Sequence, residues 1–165
     1  MLQTDRLCIR RTTIEDAAFI CELLNTESWL RFIGDRQVHS ISDAKTYIQH
    51  KMYPQFERLG FSCNTVLTRK DSKKIGTCGV YERPGLEVPD VGFAFLPDFE
   101  GQGYGYESAI TVLNDVRDNF GIKQVSAITV EDNVSSQKLL KKLGLNFSKM
   151  ITMPNDDEKL MYFLS

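Results

Sequence analysis

The chain has 165 residues, 42% of them apolar and 25% charged, with a formal net charge of -2. That length suits one domain with a sizeable core, and the composition excludes disordered and fibrous classes. The charge balance argues against a protein made for nucleic-acid backbones, which presents a strongly basic face. No run approaches the roughly 18 apolar residues of a membrane span, and "MLQTDRLCIRR" puts charges where a secretory leader needs apolar residues. A cytoplasmic protein with no nucleic-acid or membrane partner is expected. Cys8, Cys21, Cys63 and Cys78 lie far apart with no CxxC pair and only two histidines, so no metal site is expected.

In chain order, "RLCIRR" alternates like an edge strand, and "TIEDAAFICELLN" carries apolar residues at helical spacing behind acidic first-turn residues. A second helix is predicted from Ser42 to about Leu59, capped by Ser42 or Asp43, with Pro54 kinking or splitting it. "FSCNTVLT", "KIGTCGVY" and "VGFAFL" then read as three consecutive antiparallel strands. "YESAITVLNDVRDNF" is a helix with a broad apolar face that ends at Gly121, and "QVSAITV" is a buried strand. "NVSSQKLLKKLG" is a helix, and "LNFSKMITM" with "KLMYFLS" forms a terminal hairpin. The predicted order is β-α-α-β-β-β-α-β-α-β-β, a single mixed α/β domain over 1–165.

Between the third of those antiparallel strands and the next helix, "LPDFEGQGYGYES" places Gly101, Gly103 and Gly105 at every second position. Two uses fit: a turn that needs positive φ, or a loop whose amides approach an anion at a helix N-terminus. No Walker lysine follows the glycines, and the GxGxG spacing departs from the dinucleotide fingerprint GxGxxG. Glu131 after the next strand leaves a dinucleotide oxidoreductase as a third, weaker class.

"EGQGYG" at 100–105 resembles the central motif of the Gcn5-related N-acetyltransferases, Gln/Arg-x-x-Gly-x-Gly/Ala at a strand-to-helix junction. "TDRLCIRR", "RFIGDR" and "EDNVSSQKLLKKLG" look like the ribosomal-protein-alanine acetyltransferase (RimJ/RimL-like) branch, so the resemblance covers nearly the whole chain. It implies a central, mostly antiparallel twisted sheet flanked by helices, with acetyl-CoA as co-substrate and no metal. Amides of Gly101, Gln102, Gly103, Tyr104, Gly105 and Tyr106 would hold the pyrophosphate, and a side chain at Gly103 or Gly105 would intrude on it. The pantetheine arm would pair with the strand backbone at Phe93, Ala94, Phe95 and Leu96.

The chain departs from the family pattern at two places. Glu100 stands where Gln or Arg is usual, which is unfavourable beside phosphate unless the side chain points to solvent. Leu140 occupies the position of a tyrosine that many relatives use to protonate the leaving thiolate. In its place, Asn133 would contact pantetheine and Ser136 would act as acid, against plain readings as an N-cap and a solvent-facing helix serine. Asp90 is either the base that deprotonates the amine or a solvated turn residue. Trp29, Phe32 and "IGDR" are candidates for the acceptor wall, Lys138, Lys141 and Lys142 for the 3'-phosphate, and the acidic "PNDDEK" turn for the acceptor side. The activity implied is acetyl transfer to an amine acceptor, a small molecule or a protein N-terminus; the competing reading is a catalytically silent acyl-CoA sensor.

Overall fold

The computed structural model describes residues 1–154 and 156–165; Asn155, in the "PNDDEK" turn, lies outside the described residues. Strands β1 (Leu2–Gln3), β2 (Leu7–Arg11), β3 (Cys63–Thr68), β4 (Lys74–Tyr81), β5 (Asp90–Phe95), β6 (Ser126–Thr129), β7 (Asn146–Ile151) and β8 (Leu160–Leu164) form one sheet. Their order is β1-β2-β3-β4-β5-β6-β8-β7 among the described residues, and every pairing is antiparallel except β5 with β6. The expected mixed α/β architecture is thus present, with β8 inserted between β6 and β7.

Helices α1 (Ala17–Leu24), α2 (Glu27–Phe32), α3 (Ile41–Tyr47), α4 (Tyr53–Leu59), α5 (Tyr104–Phe120) and α6 (Val134–Lys142) flank this sheet. The helix start needs correction, the break at Pro54 is as expected, and one short helix is additional. The second predicted helix starts at Ile41, because Ser40 is the cap: its Oγ accepts from the Asp43 amide at 3.0 Å while the Asp43 carboxylate accepts from the His39 amide at 3.1 Å. A π-helical turn, Ile48–Met52, joins α3 to α4 directly before Pro54, where the missing N–H interrupts the regular ladder. The separate α2 was not foreseen; it has only six residues and starts on a Thr26 side-chain cap.

Period-2 alternation divides β5 between two cores. Val91 and Phe95 face α5, packing with Val80, Ala109, Val112 and Val116, whereas Ala94 and Leu96 face Phe19, Ile20, Leu23, Ala44 and Ile48 of α1, α3 and the π turn. Among the described residues no helix is long and apolar enough to cross a membrane.

One buried carboxylate ties the helical layer to the sheet. Asp16 is fully buried at the start of α1 and takes both Arg10 Nη1 and Nη2 at 2.8 Å, Lys74 Nζ at 2.7 Å, the Thr13 amide at 2.9 Å and Thr65 Oγ1 at 3.1 Å. Burial works against its charge, but Arg10, Lys74 and Thr13 overcome this and hold the carboxyl well below its ordinary value. Asp16→Asn is expected to cost about 3 kcal/mol, the lower end for a broken buried pair, because Arg10 and Lys74 remain 31% exposed. Its depressed pKa means that the carboxylate's contribution is complete above pH 3.8, the unfolded value, and fades as pH falls below it. Urea midpoints at pH 7 and pH 3 therefore differ less in the variant than in the wild-type protein.

Candidate active site

β5 and β6 run parallel but share a single pair, Asp90 with Ser126, supported by the Ser126 amide donating to the Pro89 carbonyl at 2.8 Å. Beyond that point the strands separate and leave a gap. The Leu96 amide turns toward β4, donating to Ile75 O at 2.9 Å, so alternation directs the backbone groups of Phe93 and Phe95 into the gap. Of the four strand residues expected to bind the cofactor through their backbone, only these two present free edges. Leu96 is committed to Ile75, and Ala94 faces β4 with it.

At the far end of β5 lies the glycine loop. Gly103, with φ +84°, precedes α5, and Gly101 has φ +71°; both occupy the left-handed region. The first helical bond is from Glu107 N to Gly103 O, and none of the six amides from Gly101 to Tyr106 has a hydrogen-bond partner among the described residues. Six unpaired donors at the positive end of a 17-residue helix make an anion site.

The glycines do not all serve that site as expected. A Cβ on Gly103 would lie 3.3 Å from Arg6 Nη2, so a neighbouring side chain constrains that position. Gly105 lies inside α5, where a Cβ would meet Leu139 Cδ2 at 2.9 Å and Phe95 Cε2 at 3.7 Å. Its missing side chain relieves packing against α6 and β5. The exposed Glu100 carboxylate accepts from Ser28 Oγ at 3.2 Å, which draws it toward the first turn of α2.

Where β5 meets β6, Asp90 is buried, and its Oδ1 takes Arg83 Nε at 2.7 Å. Burial raises its pKa and Arg83 opposes this, so Asp90 is not a solvated turn residue. A cleft of about 510 Å³ opens beside it, lined by Arg58, Glu82, Arg83, Leu86 and Pro89 among others. Tyr47 of α3 belongs to the same region: burial raises its hydroxyl pKa, while the charges of Arg36 and Arg83 pull it down. Trp29 Nε1 is a buried donor with no partner among the described residues, on a ring packed against the α1–α3 core.

α6 follows β6. Asn133 caps it, its Oδ1 accepting from the Ser136 amide at 3.2 Å, and Ser136 is half-buried with no hydrogen bond from its Oγ among the described residues. Leu140 is 2% exposed in the α5-side core and supplies no acid. Lys142 Nζ lies 4.2 Å over the Tyr106 ring, next to the glycine loop. The buried Cys78 thiol is pushed up to about 12, and burial also raises Cys63, so neither is a ready nucleophile.

The Acetyltransferase (GNAT) domain family matches residues 6–146. The chain belongs to the GNAT acetyltransferase family. It is 27% identical over 146 residues to the uncharacterized N-acetyltransferase YoaA of Bacillus subtilis (strain 168), covering 87% of this chain and 81% of that protein. Among solved structures, an acetyltransferase from Agrobacterium tumefaciens str. C58 superposes with TM-score 0.83 at 15% identity, covering 99% of this chain and 92% of that one. RimL, a ribosomal L7/L12 alpha-N-protein acetyltransferase in complex with coenzyme A, also gives 0.83 at 15% identity, covering 98% and 94%.

Arg6, Tyr47 and Arg83 are further candidates for the site of this acetyltransferase that sequence reasoning missed. Arg83 in particular is visible only in the fold, where its Nε meets the buried Asp90 Oδ1 at 2.7 Å. The different surroundings of the glycines predict different outcomes. Gly103→Ala strains a left-handed residue by about 1–2 kcal/mol and is expected to weaken coenzyme A binding roughly tenfold by calorimetry. Gly105→Ala displaces only the flexible end of Leu139 and gains about 1 kcal/mol of helix propensity, so its affinity stays near wild type.

Proposed function

We propose that residues 1–165 form a single cytoplasmic N-acetyltransferase domain that transfers acetyl from acetyl-CoA to the primary amine of a small molecule or protein N-terminus, within the RimJ/RimL-like branch. The observation that carries this reading is the unpaired β5 edge leading from the six free amides of the glycine loop to the buried carboxylate of Asp90. The amides from Gly101 to Tyr106 hold the pyrophosphate, Phe93 and Phe95 pair with the pantetheine amides, and Asn133 and Ser136 approach from α6. Lys142 is assigned to the 3'-phosphate, a reading supported by its position over the Tyr106 ring.

Bound acetyl-CoA supplies a thioester carbonyl. A neutral amine attacks it directly in a ternary complex, forming the carbon–nitrogen bond as the carbon–sulfur bond breaks. Asp90 takes the amine proton, directly or through water, and Ser136 donates its proton to the departing sulfur, regaining one from water as Asp90 releases its own. Arg83 orients the Asp90 carboxylate, and Tyr47, which feels the charge of Arg83, is assigned with Trp29 to the acceptor side. Burial raises the Cys63 and Cys78 thiols and removes those two as nucleophiles, in keeping with direct attack.

The silent-sensor reading draws on Leu140, which leaves the usual acid position filled by core. Calorimetry with acetyl-CoA, using NAD as control, followed by amine-dependent thiol release separates the readings: saturable binding with release supports transfer, and binding without release across an amine panel supports a sensor. Asp90→Asn is expected to lower kcat/KM by about 100-fold or more while acetyl-CoA still binds. In the wild-type protein, activity falls as pH drops through a pKa above 3.8, because burial raises Asp90 and only its ionised form accepts a proton.

A further inference from the structure

Arg6 stands at the turn into β2, about a hundred residues before the glycine loop, yet its side chain ends on that loop. Its Nε donates to Glu107 Oε2 at 2.7 Å, and Nη2 pairs with the same oxygen at 2.7 Å. Nη1 donates to the Gln102 carbonyl at 3.0 Å. The other Glu107 oxygen accepts from Thr4 Oγ1 at 2.5 Å and from the Arg6 amide at 3.2 Å. The guanidinium also lies 4.5 Å over the Tyr104 ring. One side chain therefore grips the loop at Gln102, at Tyr104 and at the first turn of α5.

The grip on Gln102 controls where the loop donors point. In a trans peptide the carbonyl of Gln102 and the amide of Gly103 face opposite ways, so holding that carbonyl on the Arg6 side directs the Gly103 N–H to the other side. A Cβ on Gly103 would lie 3.3 Å from Arg6 Nη2, which adds to the glycine preference already set by its φ of +84°. The positive charge is matched locally. Burial disfavours the Glu107 anion, but Thr4 and Arg6 outweigh this and keep its pKa below the ordinary value. A balanced ion pair adds little net attraction for an anion, so the fork geometry of the guanidinium is the functional feature.

We infer that Arg6 is a positioning residue of the phosphate-binding loop, fixing Gln102 and the start of α5 so that the loop amides converge on one anion. This rests on the acetyl-CoA reading above. Lysine at this position can pair with Glu107 as a point charge but cannot fork between Glu107 and the Gln102 carbonyl.

The test compares coenzyme A, bound through its phosphates, with S-acetyl-pantetheine, which carries none. For Arg6→Lys, calorimetry is expected to show coenzyme A bound about tenfold more weakly, the loss of one charge-assisted hydrogen bond. Turnover at saturating acetyl-CoA, and kcat/KM for S-acetyl-pantetheine, stay within about twofold of wild type. Arg6→Ala, if it folds, loses at least as much coenzyme A affinity as Arg6→Lys. Wild-type affinity in Arg6→Lys overturns the inference, since charge alone would then suffice. Parallel losses with both thioesters overturn it too, since Arg6 would then support the fold in general. Absence of coenzyme A binding by the wild-type protein overturns the acetyl-CoA reading itself, and this inference with it.

Discussion

β5 and β6 are held together by the pairing of Asp90 with Ser126, after which β5 stays with β4 and β6 stays with β8. A strand edge left open in this way presents donors and acceptors at Phe93 and Phe95 that a sheet would normally satisfy, and buried backbone groups without partners are costly. A ligand that brings its own amides satisfies them, so the break in the sheet acts as a template for a peptide-like arm. Around this gap the chain places α5 at one end and Asp90 at the other.

The two ends of the gap differ in electrostatics. At the glycine loop, fixed partial charges from six amides and a helix dipole favour an anion without a counter-cation having to be recruited. At the other end, a carboxylate is kept out of water and steadied by Arg83. A long polyanionic cofactor with a reactive terminus meets both conditions in one orientation, phosphates at α5 and the reacting group near Asp90. The rigid frame behind this arrangement comes from elsewhere: Asp16 fastens the start of α1 to β2, β3 and β4, and with it the helical layer.

Much of this was legible in the sequence because it is local. The three central strands, the apolar face of α5, the Asn133 cap and the left-handed glycines all follow from spacing and residue type. What stayed hidden depends on contacts between distant residues. Gly105 looked like part of a phosphate cradle until Leu139 appeared beside it, and Arg6 looked like an edge-strand arginine until the fold brought Glu107 to it. Asp90 could be read as a turn residue because nothing near it in sequence signals its burial. The Ser40 cap lay two residues ahead of the apparent start of its helix, and α2 was too short to show a period.

The central claim is that the open β5 edge and the glycine loop together form one cofactor site. Residue-resolved amide exchange, with and without coenzyme A, tests it most directly. The account predicts slowed exchange at Phe93, Phe95 and across Gly101 to Tyr106, with little change in the edge strand β7. Saturable binding that leaves those amides exchanging as in the free protein, or that protects a different surface, would contradict it.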